Sequence, residues 1–103
     1  MGGLLMRGIK TKKTHTKEYV IMKTDGVCAC CGREIRFEKI TIDHYVPKYR
    51  GGTDDPRNLL PLCKLCNQRK GSRIVGIDEY YPYLKSSFII EAEAYAAELK
   101  PGI

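Results

Sequence analysis

Two Cys-x-x-Cys pairs, Cys28 with Cys31 and Cys63 with Cys66, constrain this 103-residue chain more than any other feature. A domain of this length buries a modest share of its surface, so its apolar core needs an added crosslink. Each pair forms a tight turn that presents two sulfurs to one ion, and four thiolates suit tetrahedral zinc. Because four sulfurs leave zinc no open position, the sequence predicts a structural zinc on these cysteines and a fold that depends on it.

The sequence also predicts the compartment. It has no run of about 18 apolar residues that could span a membrane, and its start, MGGLLMRG, has too short an apolar stretch for a signal peptide. We therefore expect a cytoplasmic protein with no membrane partner. In a reducing compartment, paired cysteines indicate zinc rather than disulfides, and the odd total of five argues the same way. The fifth, Cys30, is interpreted as a bystander, since adjacent Cys30 and Cys31 do not easily share one tetrahedron; a ligand role for it is the alternative.

Basic charge is concentrated toward the start of the chain. The formal net charge is +6, and residues 1–24 contain six basic side chains against one acidic side chain. Residues 25–76 contain ten against six, whereas residues 77–103 contain two against five. A basic face around a metal site suits a polyanion, because neutralising phosphates supplies most non-specific affinity for nucleic acid.

Local patterns divide the chain, taken as one domain, into three parts: a basic arm at 1–15, a zinc-stapled core at 16–76 and a helical extension at 77–103. In the first half, Thr16 to Asp25 is predicted to form a helix that Gly26 ends. The segment Glu34 to Ile42 has alternating apolar positions typical of a strand that runs up to Asp43. His15, in the arm, is interpreted as a surface residue.

Turn residues and helical patterns define the second half. Glycines and the Asp54-Asp55-Pro56 run predict a broad loop over 48–57, followed by a second short strand from Asn58 to Leu62. A short helix is predicted to begin near Cys63 and to end at Gly71. The tail from Ser86 to Lys100 has apolar residues at a helical period and predicts a helix packed on the core.

The segment from Cys28 to Gly71 resembles the HNH endonuclease family. The residues that carry the resemblance are Asp43-His44, Pro47, Gly51-Gly52, Asn58-Leu59, Cys63, Cys66-Asn67 and Lys70-Gly71. Many members have histidine where this chain has Asn67, so it resembles the His-Asn-Asn variant. With the predicted elements, the resemblance implies an α+β fold: a small ββα-metal core of two short antiparallel strands, a broad loop and a helix, stapled by the four-cysteine zinc site and flanked by N- and C-terminal helices.

The resemblance implies a DNA endonuclease, and the residue chemistry agrees with it. Imidazole titrates near neutral pH, so His44 is the predicted general base that takes a proton from the attacking water. Asp43 and Asn67 offer hard oxygens suited to a catalytic Mg²⁺ or Mn²⁺, with other divalent ions also open. Asn58 resembles the family's middle asparagine, whose side chain would bind loop backbone and hold His44 in orientation. Because adjacent strand residues point to opposite faces, Asp43 and His44 can share one site only if the strand bends or ends there.

Five basic residues flank these positions and are predicted to contact the phosphate backbone of DNA with little sequence specificity. They are Lys48, Arg50, Arg69, Lys70 and Arg73. Two rival interpretations stay open: a catalytically inactive zinc-ribbon module that binds nucleic acid or protein, and a redox switch in which Cys30 pairs with a zinc cysteine. The choice between DNA and RNA, the preferred metal and the oligomeric state are not determined by the sequence.

Overall fold

A computed structural model describes residues 12–99 of the chain, with side chains from residue 16 onward. Its helices and strands are α1 (Lys12–Ile21), β1 (Thr41–His44), β2 (Leu59–Leu62), α2 (Lys64–Lys70), α3 (Ile77–Tyr80) and α4 (Ser86–Leu99). Short 3-10 turns lie at Phe37–Lys39, Lys48–Arg50 and Pro56–Asn58. This is the small α+β fold that the sequence predicts, with two strands followed directly by a helix and with helices at both flanks.

The two strands form one antiparallel pair that leads straight into α2. Thr41 lies opposite Leu62 and His44 opposite Leu59, so β1 and β2 are paired over their full lengths. After β2, only Cys63 precedes the start of α2. At the other end of α2, Gly71 has a positive φ of 58°, and its amide donates to the carbonyl of Asn67. The predicted end of α2 at Gly71 is therefore confirmed.

β1 is shorter and later than the predicted strand from Glu34 to Ile42. Only an isolated bridge joins Glu34 to Val27, and residues 37–39 form a 3-10 turn before the ladder begins at Thr41. The partner strand explains this difference. β2 has four residues before Cys63 caps α2, so it offers pairing positions only from Thr41 to His44.

α1 also differs from the prediction, since it begins at Lys12 and ends at Ile21 rather than covering residues 16–25. Residues 12–15 of the predicted arm thus begin this helix, while residues 1–11 and the His15 side chain lie outside the described part. The helix ends early because Lys23 turns inward, fully buried, and donates to the carbonyls of Pro56 (2.7 Å) and Leu59 (2.8 Å). That tertiary contact joins the N-terminal helix to the start of β2.

The C-terminal extension completes the core. α4 is the predicted tail helix over Ser86–Leu99, and Lys100 lies outside the described residues. Its Ala92 packs with Tyr81 and Leu84 against Leu60 and Leu62 of β2. One short helix, α3, was not predicted. Across residues 12–99, no helix is long and apolar enough to cross a membrane.

Candidate active site and metal centre

Four cysteine sulfurs converge at one end of the sheet. The Sγ atoms of Cys28, Cys31, Cys63 and Cys66 all lie within 4.8 Å of one another. Cys63 and Cys66 come from the start of α2, and the amide of Cys66 donates to the Cys63 sulfur at 3.5 Å. The upstream pair repeats this turn, with the Cys31 amide 3.5 Å from the Cys28 sulfur. The sequence thus folds two equivalent turns onto a common centre, as predicted.

This cluster is compatible with a structural zinc. A zinc–sulfur bond of about 2.3 Å corresponds to sulfurs separated by about 3.8 Å in a tetrahedron. Burial raises the pKa of Cys28 and Cys66. For Cys63, burial acts in the same direction, but hydrogen bonds from Cys66 and the neighbouring thiols outweigh it and lower the pKa to about 7. A cation would stabilise thiolates that are otherwise costly to hold together. Cys30 lies outside this cluster and packs against the core, which agrees with its interpretation as a bystander.

The first cysteine turn depends on a glycine and on the C-terminal segment. Gly32 has a positive φ of 77°, and a Cβ built on it would lie 2.6 Å from the ring of Tyr83. The amide of Tyr83 in turn donates to the carbonyl of Ala29 at 3.0 Å. The chain after α3 therefore packs directly on this turn, and a side chain at position 32 would separate the two.

His44 is the last residue of β1, and its side chain is 25% exposed. Its Nε2 lies 2.7 Å from Oδ1 of Asp54, which is itself 3.5 Å from the ammonium of Lys48. The sequence reasoning missed this partner. Asp54 belongs to the Asp-Asp-Pro run, for which the sequence predicts only a turn. No local pattern indicates that the loop returns this carboxylate to His44.

Asp43 occupies the opposite face of β1. It is 4% exposed, and both carboxylate oxygens have partners: Oδ2 accepts from the hydroxyl of Tyr81 at 2.5 Å, and Oδ1 lies 3.1 Å from the ammonium of Lys70. Burial raises the pKa of Asp43, although the Tyr81 hydroxyl and the Lys70 charge act against that rise. The strand ends at His44 without bending first, so the imidazole lies near the surface while the carboxylate lies inside.

Asn67 faces β1 from α2. Its Nδ2 donates to Oγ1 of Thr41 at 2.8 Å, and that hydroxyl donates to the carbonyl of Leu62 at 2.7 Å. Lys70, one turn further along α2, also donates to the carbonyl of His44 at 3.1 Å. These bonds hold one face of α2 against β1, and they leave the amide oxygen of Asn67 available as a ligand.

The donor chemistry of Asp43 and Asn67 fits a hard divalent ion. Carboxylate and amide oxygens are the ligands that Mg²⁺ and Mn²⁺ prefer. An ionised carboxylate has about four lone-pair directions, and Tyr81 and Lys70 use one on each oxygen of Asp43. Directions for a metal ion therefore remain. The ammonium of Lys70, beside one of the oxygens, opposes a second cation electrostatically.

The side chain of Asn58 binds loop backbone, which agrees with what the resemblance implies for this residue. Its side chain is fully buried, and Oδ1 accepts from the amide of Val46 at 2.8 Å. Its Nδ2 donates to the carbonyls of Val46 (3.1 Å) and Thr53 (3.0 Å). These bonds tie both ends of the loop after His44 to the start of β2.

The predicted DNA contacts divide into two groups. Lys48, Arg50, Arg69 and Arg73 are exposed, and Arg73 also donates to the carbonyls of Arg69 and Lys70 at the end of α2. Lys70 is different, since it is 1% exposed with its ammonium on Asp43. Lys70 therefore does not belong with the predicted phosphate contacts, because its pairing with the buried carboxylate of Asp43 keeps its amine inside the protein.

Comparison with known proteins agrees with this geometry. Residues 28–73 match the sequence model of the HNH endonuclease family. A 46-residue stretch, 44% of this chain, is 44% identical to the CRISPR-associated endonuclease Cas9 of Corynebacterium diphtheriae. The match covers 4% of the length of that protein. The family match contains the four clustered cysteines together with Asp43, His44, Asn58 and Asn67. This match spans slightly less than half of the chain, and over that segment the chain is similar to the HNH endonuclease family.

Proposed function

We propose that this chain is a metal-dependent endonuclease that hydrolyses DNA phosphodiester bonds. One observation carries the proposal: α2 is bonded to β1 on both sides of the catalytic positions, through Asn67 to Thr41 and through Lys70 to the backbone of His44. These bonds fix the backbone of β1 as far as His44, whose imidazole is 25% exposed and so can be reached by a phosphate. The family match and the endonuclease named among its relatives support the same class of reaction.

In the proposed reaction, His44 accepts a proton from a water molecule, and the oxygen of that water attacks phosphorus. A phosphorus–oxygen bond forms as the bond to the 3′ oxygen breaks. Asp43 and Asn67 would hold one divalent ion, Mg²⁺ or Mn²⁺. When bound, such an ion neutralises phosphate charge and stabilises the leaving oxygen. Tyr81 and Lys70 keep the carboxylate of Asp43 in one orientation through their contacts with its two oxygens.

Zinc on the four cysteines would be structural rather than catalytic. Four thiolates complete its coordination, so no position is left for substrate or water. Its role would be to join the turn at Cys28 to the start of α2, the helix that presents Asn67. Loss of zinc would then release the turn at Cys28 from the start of α2.

The proposed substrate is DNA held through its backbone. Lys48 and Arg50 lie in the loop after His44, and Arg69 and Arg73 lie at the end of α2, so exposed positive charge borders the site on two sides. Contacts of this kind position a nucleic acid without reading its sequence. We therefore expect affinity that falls steeply with salt and shows little sequence preference.

A catalytically inactive nucleic-acid-binding module is the second candidate, and one observation favours it. Asp43 is buried and is already paired with the ammonium of Lys70, which opposes a divalent ion beside the same carboxylate. If that pair is never displaced, the chain would bind DNA without cutting it.

Plasmid nicking separates the two candidates. Zinc-loaded protein, freed of loosely bound ions, is incubated with supercoiled plasmid and added Mg²⁺, Mn²⁺, Ni²⁺ or Zn²⁺. His44→Ala is the test variant, and His15→Ala makes the same chemical change near the start of α1 as a matched control. We expect ion-dependent nicking by the wild type and by His15→Ala, and none by folded, zinc-loaded His44→Ala. If all three proteins retard DNA in a gel but none nicks it, the binding module replaces the nuclease.

A further inference from the structure

The contact between His44 and Asp54 determines which imidazole nitrogen can act as the base. Nε2 lies 2.7 Å from Oδ1 of Asp54. The hydrogen bond with His44 and the charge of Lys48 hold the pKa of Asp54 below its usual value, so this carboxyl is ionised at neutral pH. An ionised carboxylate only accepts hydrogen bonds. Nε2 must therefore have the hydrogen, and in the neutral imidazole the free lone pair is on Nδ1.

The position of Asp54 is set by its surroundings although its side chain is 73% exposed. On one side, Gly52 packs so closely that an added Cβ would lie 1.8 Å from the carbonyl oxygen of Val46. On the other side, the carbonyl of Thr53 accepts from Asn58 at 3.0 Å. The loop therefore has few alternative paths between residues 52 and 55.

A further anchor comes from α4, outside the segment that matches the family. The hydroxyl of Tyr95 accepts from the amide of Thr53 at 2.9 Å and lies 2.7 Å from its Oγ1. Tyr95 is 4% exposed, so this hydroxyl is held by the packing of α4 on the core. The helix thus fixes the residue immediately before Asp54.

We infer that Asp54 is a positioning residue that holds the His44 imidazole through Nε2, so that Nδ1 receives the proton of the attacking water, and that Tyr95 supports it from α4. This inference rests on the proposed function for the role of His44. The contact itself, however, can be tested without any catalytic activity.

The first test is the protonation pattern of the imidazole. Long-range proton–nitrogen NMR spectra of zinc-loaded protein, without added divalent ion and at a pH where imidazole is neutral, show which ring nitrogen has the hydrogen. The chain has two histidines, so His15→Ala assigns the signals. We expect the hydrogen on Nε2 of His44 in the wild type and a mixture of the two tautomers in Asp54→Ala. A hydrogen on Nδ1 in the wild type, or identical patterns in the two proteins, would overturn the inference.

The second test is kinetic. General-base catalysis contributes about 10²- to 10⁴-fold, and loss of orientation removes part of it, so we expect kcat for nicking to fall about 10- to 100-fold in Asp54→Ala. KM should not rise, because removing a negative charge favours a polyanion. Glu38→Ala is the matched control, since it also removes an exposed, cation-paired carboxylate, and it should keep the wild-type kcat. Unchanged kcat in Asp54→Ala overturns the inference.

A third variant tests the anchor on α4. Tyr95→Phe should lower kcat by a smaller factor, and adding it to Asp54→Ala should cause no further loss, because both act on the same imidazole. Independent, multiplicative losses would overturn the role of Tyr95. If the wild type itself does not nick plasmid, the proposed function fails, while the NMR pattern still decides whether Asp54 holds His44.

Discussion

Asn58→Ala is the substitution whose effect can be worked out most directly from the structure. The fully buried amide makes three hydrogen bonds, two to Val46 and one to Thr53. At about 1 kcal/mol net for each bond, their loss lowers the free energy of unfolding by about 3 kcal/mol. A domain of about 100 residues loses about 4 °C of Tm per kcal/mol, so Tm should fall by about 12 °C.

The assay is thermal unfolding at a fixed excess of zinc, with hydrogen exchange followed at the Val46 amide. That amide should lose protection, because its acceptor is the Oδ1 atom that alanine lacks. Nicking activity should fall as well, since the loop no longer presents the residues around His44 in one arrangement. Zinc content should be unchanged, as the cysteines lie at the other end of the strands.

Two further variants make this prediction specific. Arg57→Ala changes the preceding residue, whose ion pairs with Asp55 and Glu98 are open to solvent and should therefore contribute little to stability. Asn58→Asp keeps the shape and the acceptor for Val46 but sets a carboxylate oxygen against two carbonyls, so it should destabilise at least as much as alanine. If Asn58→Ala unfolds within about 0.5 kcal/mol of the wild type and Val46 stays protected, the architectural role assigned to Asn58 is refuted.

Three other predictions follow from the remaining contacts. Cys63→Ser should lose bound zinc and the cooperative unfolding transition, whereas Cys30→Ser should keep one zinc per chain by metal analysis; equal zinc loss in both would contradict the four-cysteine assignment. Burial lowers the pKa of Lys23 from 10.5 to about 8, so between these pH values the folded chain has released a proton that the unfolded chain still binds. In urea titrations, the free energy of unfolding of the wild type relative to that of Lys23→Met should therefore rise by roughly 3 kcal/mol between about pH 8 and pH 10.5. If this difference does not change with pH, the lowered pKa of Lys23 is refuted. Gly52→Ala should abolish nicking and destabilise the loop, because its Cβ would overlap the carbonyl of Val46; wild-type activity and Tm would show that the loop can move aside.

Features that depend on nearby residues could be predicted from the sequence. The spacing within each Cys-x-x-Cys pair specifies a turn, and the turns were found together as expected. Gly71 ends α2 because it takes a positive φ, and the apolar period of the tail produces α4. The architectural role of Asn58 followed from the resemblance to the family, and its three loop hydrogen bonds agree with it.

The length of β1 and the end of α1 were not predictable in the same way. A strand extends only as far as its partner strand, and the alternating apolar residues in 34–40 do not predict how short β2 is. Likewise, α1 ends at Ile21 because Lys23 finds two carbonyl acceptors more than thirty residues away. In both cases, a distant contact outweighs the local preference.

The same division applies to the site. The sequence by itself determined the chemical groups: four thiolates, an imidazole, and hard oxygens on Asp43 and Asn67. Only the tertiary structure decided their partners. It buried Asp43 between Tyr81 and Lys70, withdrew Lys70 from the surface, and returned Asp54 to His44. Local spacing encodes which groups are present and how each turn is shaped. The partner that meets each group depends on chain segments that become neighbours only when the core packs.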